Sequence, residues 1–114
     1  MSGGDQNTVT EEYGFIGGGF KNSVDGAYGT TVGGYKNQVF SNYGTISGGF
    51  LNAVTGRFAA VPGGARNVAR GRYSFAAGYK GDAKGDSTAA FGFSGETCET
   101  AQDNQIAFCA DSVS

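Results

Sequence analysis

The chain has 114 residues, a formal net charge of −2 and no histidine. This length suits a single domain, and the small net charge gives no general attraction to nucleic acid or to a membrane surface. The absence of histidine excludes a Ser–His–Asp or Cys–His nucleophile system and any histidine metal site. Glycine is abundant, with 22 residues, but nine Phe and six Tyr at regular spacing are not typical of disorder.

A pattern of four positions repeats at a constant interval from the N-terminus onward. Each copy has a Gly pair, an Asn, a Val or Ala two residues after the Asn, and an aromatic residue six after it. The Asn positions, which define a 15-residue period, are Asn7, Asn22, Asn37, Asn52 and Asn67, and the Gly positions include Gly19, Gly34, Gly49 and Gly64. Five copies in register predict a repeat architecture, in which the Asn column forms a structural ladder rather than an array of ligand donors.

The interval between successive Asn positions favours a flattened coil. It is too short for helical repeats or propeller blades and suits two strands of about five residues joined by two turns. The Gly pair is predicted to form one turn, because glycine adopts positive φ without steric cost. The position four residues after the Asn, which is Gly26, Gly56 or Gly71 in three copies, is predicted to form the other turn. The fold class is therefore all-β, a β-solenoid of about seven short coils.

Alternation within each copy predicts which side chains face the interior. Phe20, Asn22 and Val24 are expected to share one face of the first strand, and Ala59 and Val61 one face of the second. The aromatic column expected on the opposite face of the second strand consists of Tyr28, Tyr43, Phe58 and Tyr73. When both faces of a strand are apolar, each face must be covered, one by the interior of the coil and the other by a partner outside it. These four aromatic residues are therefore predicted to contact other copies of the chain.

The repeat changes after Asn67. The spacing becomes one residue shorter, and Asp82 is taken as the new Asn position. Residues 1–95 are predicted to be β-roll repeats, with 15-residue coils to about residue 78 and 14-residue coils beyond it. Residues 96–114 are predicted to be a capping segment, because terminal repeats close an exposed sheet end. Cys98 and Cys109 are either a disulfide that staples this segment or two free thiols, and the sequence leaves both open.

The repeat motif resembles a known family. Residues 48–61 (GGFLNAVTGRFAAV) resemble the head repeats of YadA-like trimeric autotransporter adhesins, and residues 73–78 (YSFAAG) are similar to the shorter head repeat of that family. The resemblance covers roughly residues 3–95. It implies a left-handed parallel β-roll, three chains around one axis, and adhesion as the usual role. Similar repeats occur in virion proteins such as phage tail fibres, spikes and capsid-surface proteins.

The charges are unevenly distributed along the second half of the chain. Six bases and one acid lie between Arg57 and Lys84, whereas the residues from Gly85 onward hold five acids and no base. One interpretation is an anion-binding band formed by Arg66, Arg70 and Arg72. The alternative is an ordinary solvated edge.

Two further patterns suggest other binding chemistries. Residues 17–23 have the look of a phosphate loop but lack its glycine and lysine spacing. Thr30, Thr31 and Thr45 suggest an ice-binding face, although Phe15, Ala60 and Phe75 interrupt that column. Neither pattern displaces the structural interpretation of the repeat.

The sequence therefore predicts a non-enzymatic, homotrimeric β-roll on a virion, as a capsid-surface, spike or tail-fibre component. Its expected partners are itself, other virion or surface proteins, and a host receptor or acidic glycan, with no cofactor, metal, nucleic acid or membrane insertion. No signal peptide follows Met1, so the chain is expected either to assemble in the cytosol or to be a segment of a longer exported protein. In both cases the expected final location is a virion surface or an extracellular or cell surface.

Two other functions remain as alternatives. The first is the head segment of a bacterial trimeric autotransporter adhesin that binds host matrix or cells. The second is a glycan-acting enzyme on a β-solenoid. Such an enzyme needs paired carboxylates in a groove, and no strand face of this sequence collects them.

Overall fold

The computed structural model describes residues 4–93 and 95–110, and all regular structure in these two ranges is β. The strands are β1 (Thr8–Val9), β2 (Phe15–Ile16), β3 (Ser23–Val24), β4 (Thr30–Thr31), β5 (Gln38–Val39), β6 (Thr45–Ile46), β7 (Ala53–Val54), β8 (Ala60–Val61), β9 (Val68–Ala69), β10 (Phe75–Gly78), β11 (Gly81–Ala83), β12 (Ala89–Gly92), β13 (Cys98–Thr100) and β14 (Ile106–Cys109).

The strands form two seven-stranded parallel sheets. The odd-numbered strands β1 to β13 make the first sheet and the even-numbered strands β2 to β14 make the second, each in sequence order. One strand of each sheet belongs to each coil, so the chain winds through seven coils into a body of 42 × 23 × 15 Å. The predicted all-β, parallel β-solenoid of about seven coils is confirmed.

The strands are shorter than predicted because the turns take more of each coil. The residue before the Asn has a left-handed backbone, as at Lys21 (φ 57°), and so does the aromatic residue, as at Tyr28 (φ 59°). A left-handed residue breaks the extended conformation on both sides of it. Nine strands therefore keep only two residues in the ladder.

The interior is one thin layer of aliphatic side chains. Val24, Val39 and Val54 point inward from the first sheet, and Ile46 and Val61 from the second, all fully buried. Ala59 is also buried, so its predicted shared face with Val61 is confirmed. Identical residues stack in register, as in the pairs of Val24 with Val39 and Val39 with Val54.

The predicted shared face of Phe20 with Asn22 and Val24 is wrong. Asn22 and Val24 are buried, but Phe20 is only half-buried and lies outside the core. The cause is the left-handed residue Lys21 between Phe20 and Asn22, because it interrupts the alternation that puts every second side chain on one face.

The Asn column forms the predicted ladder. The Oδ1 atom of Asn22 accepts the backbone N–H of Asn37 at 2.9 Å, and Nδ2 of Asn37 donates to the carbonyl oxygens of Gly33 and Gly49, each at 3.0 Å. The same bonds recur in neighbouring coils through Asn52. These side chains are buried. The ladder therefore provides hydrogen-bond partners for backbone N–H and carbonyl groups at one turn of each coil that contains an Asn.

The two predicted turns use glycine for different reasons. In the Gly pair, the second glycine has a positive φ, as at Gly34 (φ 94°), which confirms the conformational argument. Gly56 in the other turn has no left-handed backbone, but a Cβ there would overlap the carbonyl oxygen of Gly71 in the next coil. That turn therefore needs glycine for the close approach of stacked backbones rather than for φ.

The register change after the fifth coil places a different residue at the Asn position. Asp82 pairs with Val68, and the backbone N–H of Gly81 donates to Oδ1 of Asn67 at 2.8 Å. Gly81, not Asp82, therefore continues the Asn column, and the assignment to Asp82 is wrong.

The pairing also locates the residue that the sixth coil lacks. Ala60 pairs with Phe75, which keeps the spacing of the earlier coils, whereas Ala65 pairs with Tyr79, which is one residue nearer. The missing residue therefore lies between these two pairs, in the segment that ends with the Gly pair.

The predicted capping segment continues the sheets as far as it is described. β13 pairs with β11 and β14 pairs with β12, so residues 98–109 form the last coil. Gly78 pairs with Gly92 and Gly81 with Cys98, so the turn before Cys98 contains three extra residues. Cys98 and Cys109 are joined by a disulfide, which settles the alternative that the sequence left open. Residues 111–114 of the predicted cap lie outside the described residues.

Candidate functional site

The aromatic side chains of this chain all lie outside the buried core. The described ranges contain all fifteen Phe and Tyr residues, and each is half-buried or exposed. Aromatic side chains usually supply much of the buried apolar area of a domain, but here the narrow space between the sheets accepts only Val, Ile, Ala, Thr, Asn and residues of similar size. The candidate functional site is therefore the outer surface.

One row of rings follows the turn between the first and second strands of each coil. We call it the aromatic edge, and its members are Tyr13, Tyr28, Tyr43, Phe58 and Tyr73. Successive rings are parallel, with centroids 4.7–5.5 Å apart. Their exposed fractions range from 42% to 71%, so stacking leaves much of each ring in contact with solvent.

The aromatic edge is not on a strand face as predicted. Tyr28, Tyr43, Phe58 and Tyr73 have φ between 58° and 61° and lie in the turn before the second strand. The outward positions of that strand are held instead by residues such as Phe15, Thr30 and Thr45. The prediction that these aromatic residues contact other copies of the chain remains a prediction.

A second row of rings lies at the turn that precedes the first strand of each coil. Phe20, Tyr35 and Phe50 stack at 5.3–5.5 Å, and Tyr79 continues the row after Ala65. The residue that follows each of these positions is left-handed and is a base in four coils. We call these four residues the basic ridge: Lys21, Lys36, Arg66 and Lys80.

The lysines of the basic ridge lie over the rings beside them. The Nζ atoms of Lys21 and Lys36 are 5.2 Å from the ring centroids of Phe20 and Tyr35, and Nζ of Lys80 is 5.3 Å from that of Tyr79. A ring face attracts an ammonium group at this distance. The ridge was not predicted from the sequence, although a base stands directly before the Asn in three of its five copies.

A third apolar surface covers the C-terminal end of the second sheet. We call it the C-terminal apolar patch, and its members are Phe75, Phe91, Phe93, Ile106 and Phe108 on or next to β10, β12 and β14. The rings of Phe91 and Phe108 stack at 4.7 Å. Phe93, Ile106 and Phe108 are each more than 60% exposed.

The structure separates the three arginines of the predicted anion-binding band. Nε of Arg70 lies 2.8 Å from the carboxylate of Asp82, and Arg72 lies 3.3 Å from that of Asp86. Arg66 stands elsewhere, in the basic ridge, and no carboxylate of the described residues forms an ion pair with it. Two of the three predicted residues therefore already have anionic partners within the chain.

Three exposed groups of this ion-paired region have shifted pKa values. The hydrogen bond from Lys84 lowers the pKa of Glu99 and raises that of Lys84, and their Nζ–Oε2 distance is 2.6 Å. The pKa of Asp86 is lowered mainly because its carboxylate accepts the backbone N–H of Arg72 at 2.9 Å. These bonds link neighbouring coils across the sheet surface.

The predicted threonine face is divided between surface and core. Thr30 and Thr45 are outward neighbours on the second sheet, but Thr31 points inward and is fully buried. The Oγ1 atom of Thr31 has no hydrogen-bond partner among the described residues. The three threonines therefore do not share one face.

The surface of the described coils has no concave site. No pocket is present in residues 4–93 and 95–110. Over the same ranges, no three His, Cys, Asp or Glu side chains are close enough to share a metal ion. The described part of the chain also contains no helix with the length and hydropathy needed to cross a bilayer.

Comparison of the sequence with family models and curated proteins gives no match. No protein-family model matches the chain, and no curated protein matches it in sequence. The relation to YadA-like head repeats therefore remains a hypothesis based on the motif in residues 48–61.

Proposed function

We propose that this chain is a non-enzymatic structural and attachment element, a left-handed β-roll that assembles as a homotrimer on the outside of a virion. The observation that carries this proposal is the position of the fifteen aromatic residues, all of them outside the core. A chain with its large apolar side chains on the surface, in rows, is built to be covered by a partner.

The thin core supports self-association. The interior of each coil holds few side chains larger than Val or Ile, and a small body with a high surface-to-volume ratio has little stability in reserve. Covering a ring that is already about half-buried adds roughly 1–2 kcal/mol. Closed symmetry repeats the same contact for each copy, so the aromatic edge supplies one contact in each of the first five coils.

The shape supports attachment rather than catalysis. The body is a rod 42 Å long, without a pocket in its described residues. Enzymes acting on small molecules or glycans hold their substrate in a cleft that brings acid and base groups together. A rod with repeated surface features is suited to contacts that extend along its length, with other virion proteins, a host receptor or an acidic glycan.

The virion and adhesin alternatives share the motif and the fold, so the gene context separates them. A reading frame that continues into a coiled-coil stalk and a membrane anchor would favour the head segment of a bacterial trimeric adhesin. A gene that lies among virion structural genes and encodes no such anchor would support the virion component.

Light scattering coupled to size exclusion tests the trimer. The expected mass is three times the 11.6 kDa of one chain, and the mass of one chain would overturn the proposal. A Tyr43→Asn/Phe58→Asn variant should dissociate, and it suits the local backbone because Asn104 occupies the same left-handed position in the last coil. Phe40→Ser is the matched control, since Phe40 is an exposed ring that belongs to neither row.

A further inference from the structure

We propose that the basic ridge, formed by Lys21, Lys36, Arg66 and Lys80, binds an acidic polysaccharide laid along the axis of the rod. This inference rests on the attachment role proposed above and names the chemistry of one partner. It uses residues on the opposite side of each coil from the aromatic edge, at the turn where one coil passes into the next.

The ridge is held in line by backbone hydrogen bonds. The N–H of Lys36 donates to the carbonyl of Phe20 at 3.0 Å, and that of Arg66 donates to the carbonyl of Phe50 at 2.9 Å. Each ridge position therefore lies one coil from the next, about 4.8 Å along the axis. From Lys21 to Lys80 the ridge spans four coil steps, or roughly 19 Å.

No ion pair joins the charges of the ridge to a carboxylate of the described residues. Four of the eight bases lie outside the ridge. Three of them, Arg70, Arg72 and Lys84, are ion-paired, and Arg57 lies over Phe58 on the aromatic edge. The other four bases form the ridge. Lys21 and Lys36 are neighbours, as are Arg66 and Lys80, with Leu51 between the two pairs. Like charges on adjacent coils repel, and an anionic polymer relieves that repulsion along the whole row.

An acid stands beyond each end of the ridge, while Asp82, two residues after Lys80, is ion-paired with Arg70. Asp5 occupies the ring position of the first coil, below Phe20. Glu96 lies in the three-residue enlargement between β12 and β13, beyond Lys80. The carboxylates of Asp5 and Glu96 repel an anionic polymer at the two ends of the ridge. The ridge therefore holds only a short segment of the polymer.

The ring stack favours a glycan over a single-stranded nucleic acid. Proteins that bind single strands offer ring faces on which bases stack. Here the faces of Tyr35 are covered by Phe20 and Phe50, with centroids 5.5 and 5.3 Å away, and by a lysine ammonium at the margin. The rings leave only their edges free, so neither bases nor sugars can stack on them, and the bases of the ridge supply the attraction to an anionic polymer.

The test measures binding of the full chain to immobilised heparin and to alginate at low and physiological salt. Lys21→Gln/Lys36→Gln/Arg66→Gln/Lys80→Gln removes the ridge charges, and Gln6 shows that the left-handed position accepts glutamine. The matched control, Arg57→Gln/Arg70→Gln/Arg72→Gln/Lys84→Gln, removes the same number of charges from elsewhere. We expect at least a tenfold loss of affinity for the ridge variant and less than a threefold loss for the control.

Three results would refute the proposal that the ridge binds an acidic polysaccharide. They are no binding of the unmodified chain to either polysaccharide, equal losses in the two variants, and equal or tighter binding of oligo(dT) at the same salt, which would identify a nucleic-acid surface. Circular dichroism confirms that both variants fold. Light scattering on the same samples separates this inference from the trimer: a monomer that still binds through the ridge would refute only the assembly.

Discussion

Cys98 and Cys109 form their disulfide at the two positions that a hydrogen bond joins two coils earlier, where Nδ2 of Asn67 donates to the carbonyl of Gly78 at 2.8 Å. The ladder pairs Gly81 with Cys98 in the Asn column and Gly92 with Cys109 in the Gly column. Both links also have a sequence separation of 11 residues. The last described coil therefore closes covalently where the first five coils close through an amide.

Loss of this covalent closure should weaken the chain from its C-terminal end. Cys98→Ala/Cys109→Ala is expected to lower the free energy of unfolding by about 2.5–3 kcal/mol, because the disulfide no longer restricts the unfolded chain. Urea unfolding with and without a reducing agent measures the change. Reduction should lower the stability of the unmodified chain and leave the variant unaffected; equal stability of the two oxidised proteins would refute this role.

Removal of one ladder asparagine should cost more than removal of an exposed one. Asn37→Ala leaves the N–H of Asn52 and the carbonyls of Gly33 and Gly49 without their side-chain partner. Only the N–H of Asn52 belongs to a buried residue, because Gly33 is half-buried, Gly49 is exposed and the carbonyl of Gly49 keeps the N–H of Tyr35. An unsatisfied buried N–H costs about 1–3 kcal/mol and each lost bond to a carbonyl about 0.5–1.5 kcal/mol, so we expect a loss of at least about 2 kcal/mol.

Chemical denaturation compares this variant with Asn42→Ala. Asn42 is exposed and accepts only the N–H of Ala27 at 3.0 Å among its described hydrogen bonds through the side chain. We expect a loss of about 1 kcal/mol or less there. Similar losses at both positions would contradict the importance of the buried ladder.

The two glycines of one pair should respond in opposite directions to alanine. A Cβ on Gly18 would meet nothing within 4 Å, whereas Gly19 has a φ of +88° and a Cβ there would overlap the carbonyl of Gly34. Gly18→Ala should therefore stabilise the chain by about 0.4–1 kcal/mol, and Gly19→Ala should destabilise it by more than that. Thermal melting of the two variants, which have the same composition, gives the comparison directly.

Acid should weaken the ion-paired surface of the later coils. The pKa values of Asp86 and Glu99 are lowered in the folded chain, so their contribution is complete above the ordinary carboxyl pKa. It is lost as the pH falls through the lowered folded value, below about pH 4.

Asp86→Asn/Glu99→Gln should accordingly show a shallower decline of melting temperature with acidification than the unmodified chain. The raised pKa of Lys84 acts in the opposite direction, because its contribution is complete below the ordinary lysine pKa and is lost as the pH rises through the raised value. Melting curves between about pH 2.5 and 7 at low salt measure the first effect. Parallel curves for the two proteins would refute it.

The ladder and the core could be predicted because they depend on spacing alone. Asn22, Asn37 and Asn52 fall one coil apart, and a parallel stack must place equal positions above one another. The left-handed backbone at Tyr28 and Lys21 could not be predicted, because non-glycine residues rarely adopt it and the closure of the coil imposes it.

The misplaced Asn position has a different cause. The shortened spacing after Asn67 leads to Gly81, but the chemical similarity of Asp82 to Asn favoured the wrong neighbour. Only the pairing of the strands shows that the missing residue lies in the segment between the second strand of the fifth coil and Tyr79. The assignment of the bases to different surfaces likewise requires the three-dimensional structure. Arg66 and Arg70 are close in sequence but belong to different surfaces.

Because the register of the first five coils is constant, the length of the rod can change in equal steps of one coil. Gln38 pairs with Ala53 as Ser23 pairs with Gln38, so the loss or duplication of one whole repeat brings together the same kinds of neighbours. Its length changes by one step of about 4.8 Å, and every turn keeps its form. The number of repeats therefore sets the length of the rod, the number of exposed rings and the number of exposed charges together.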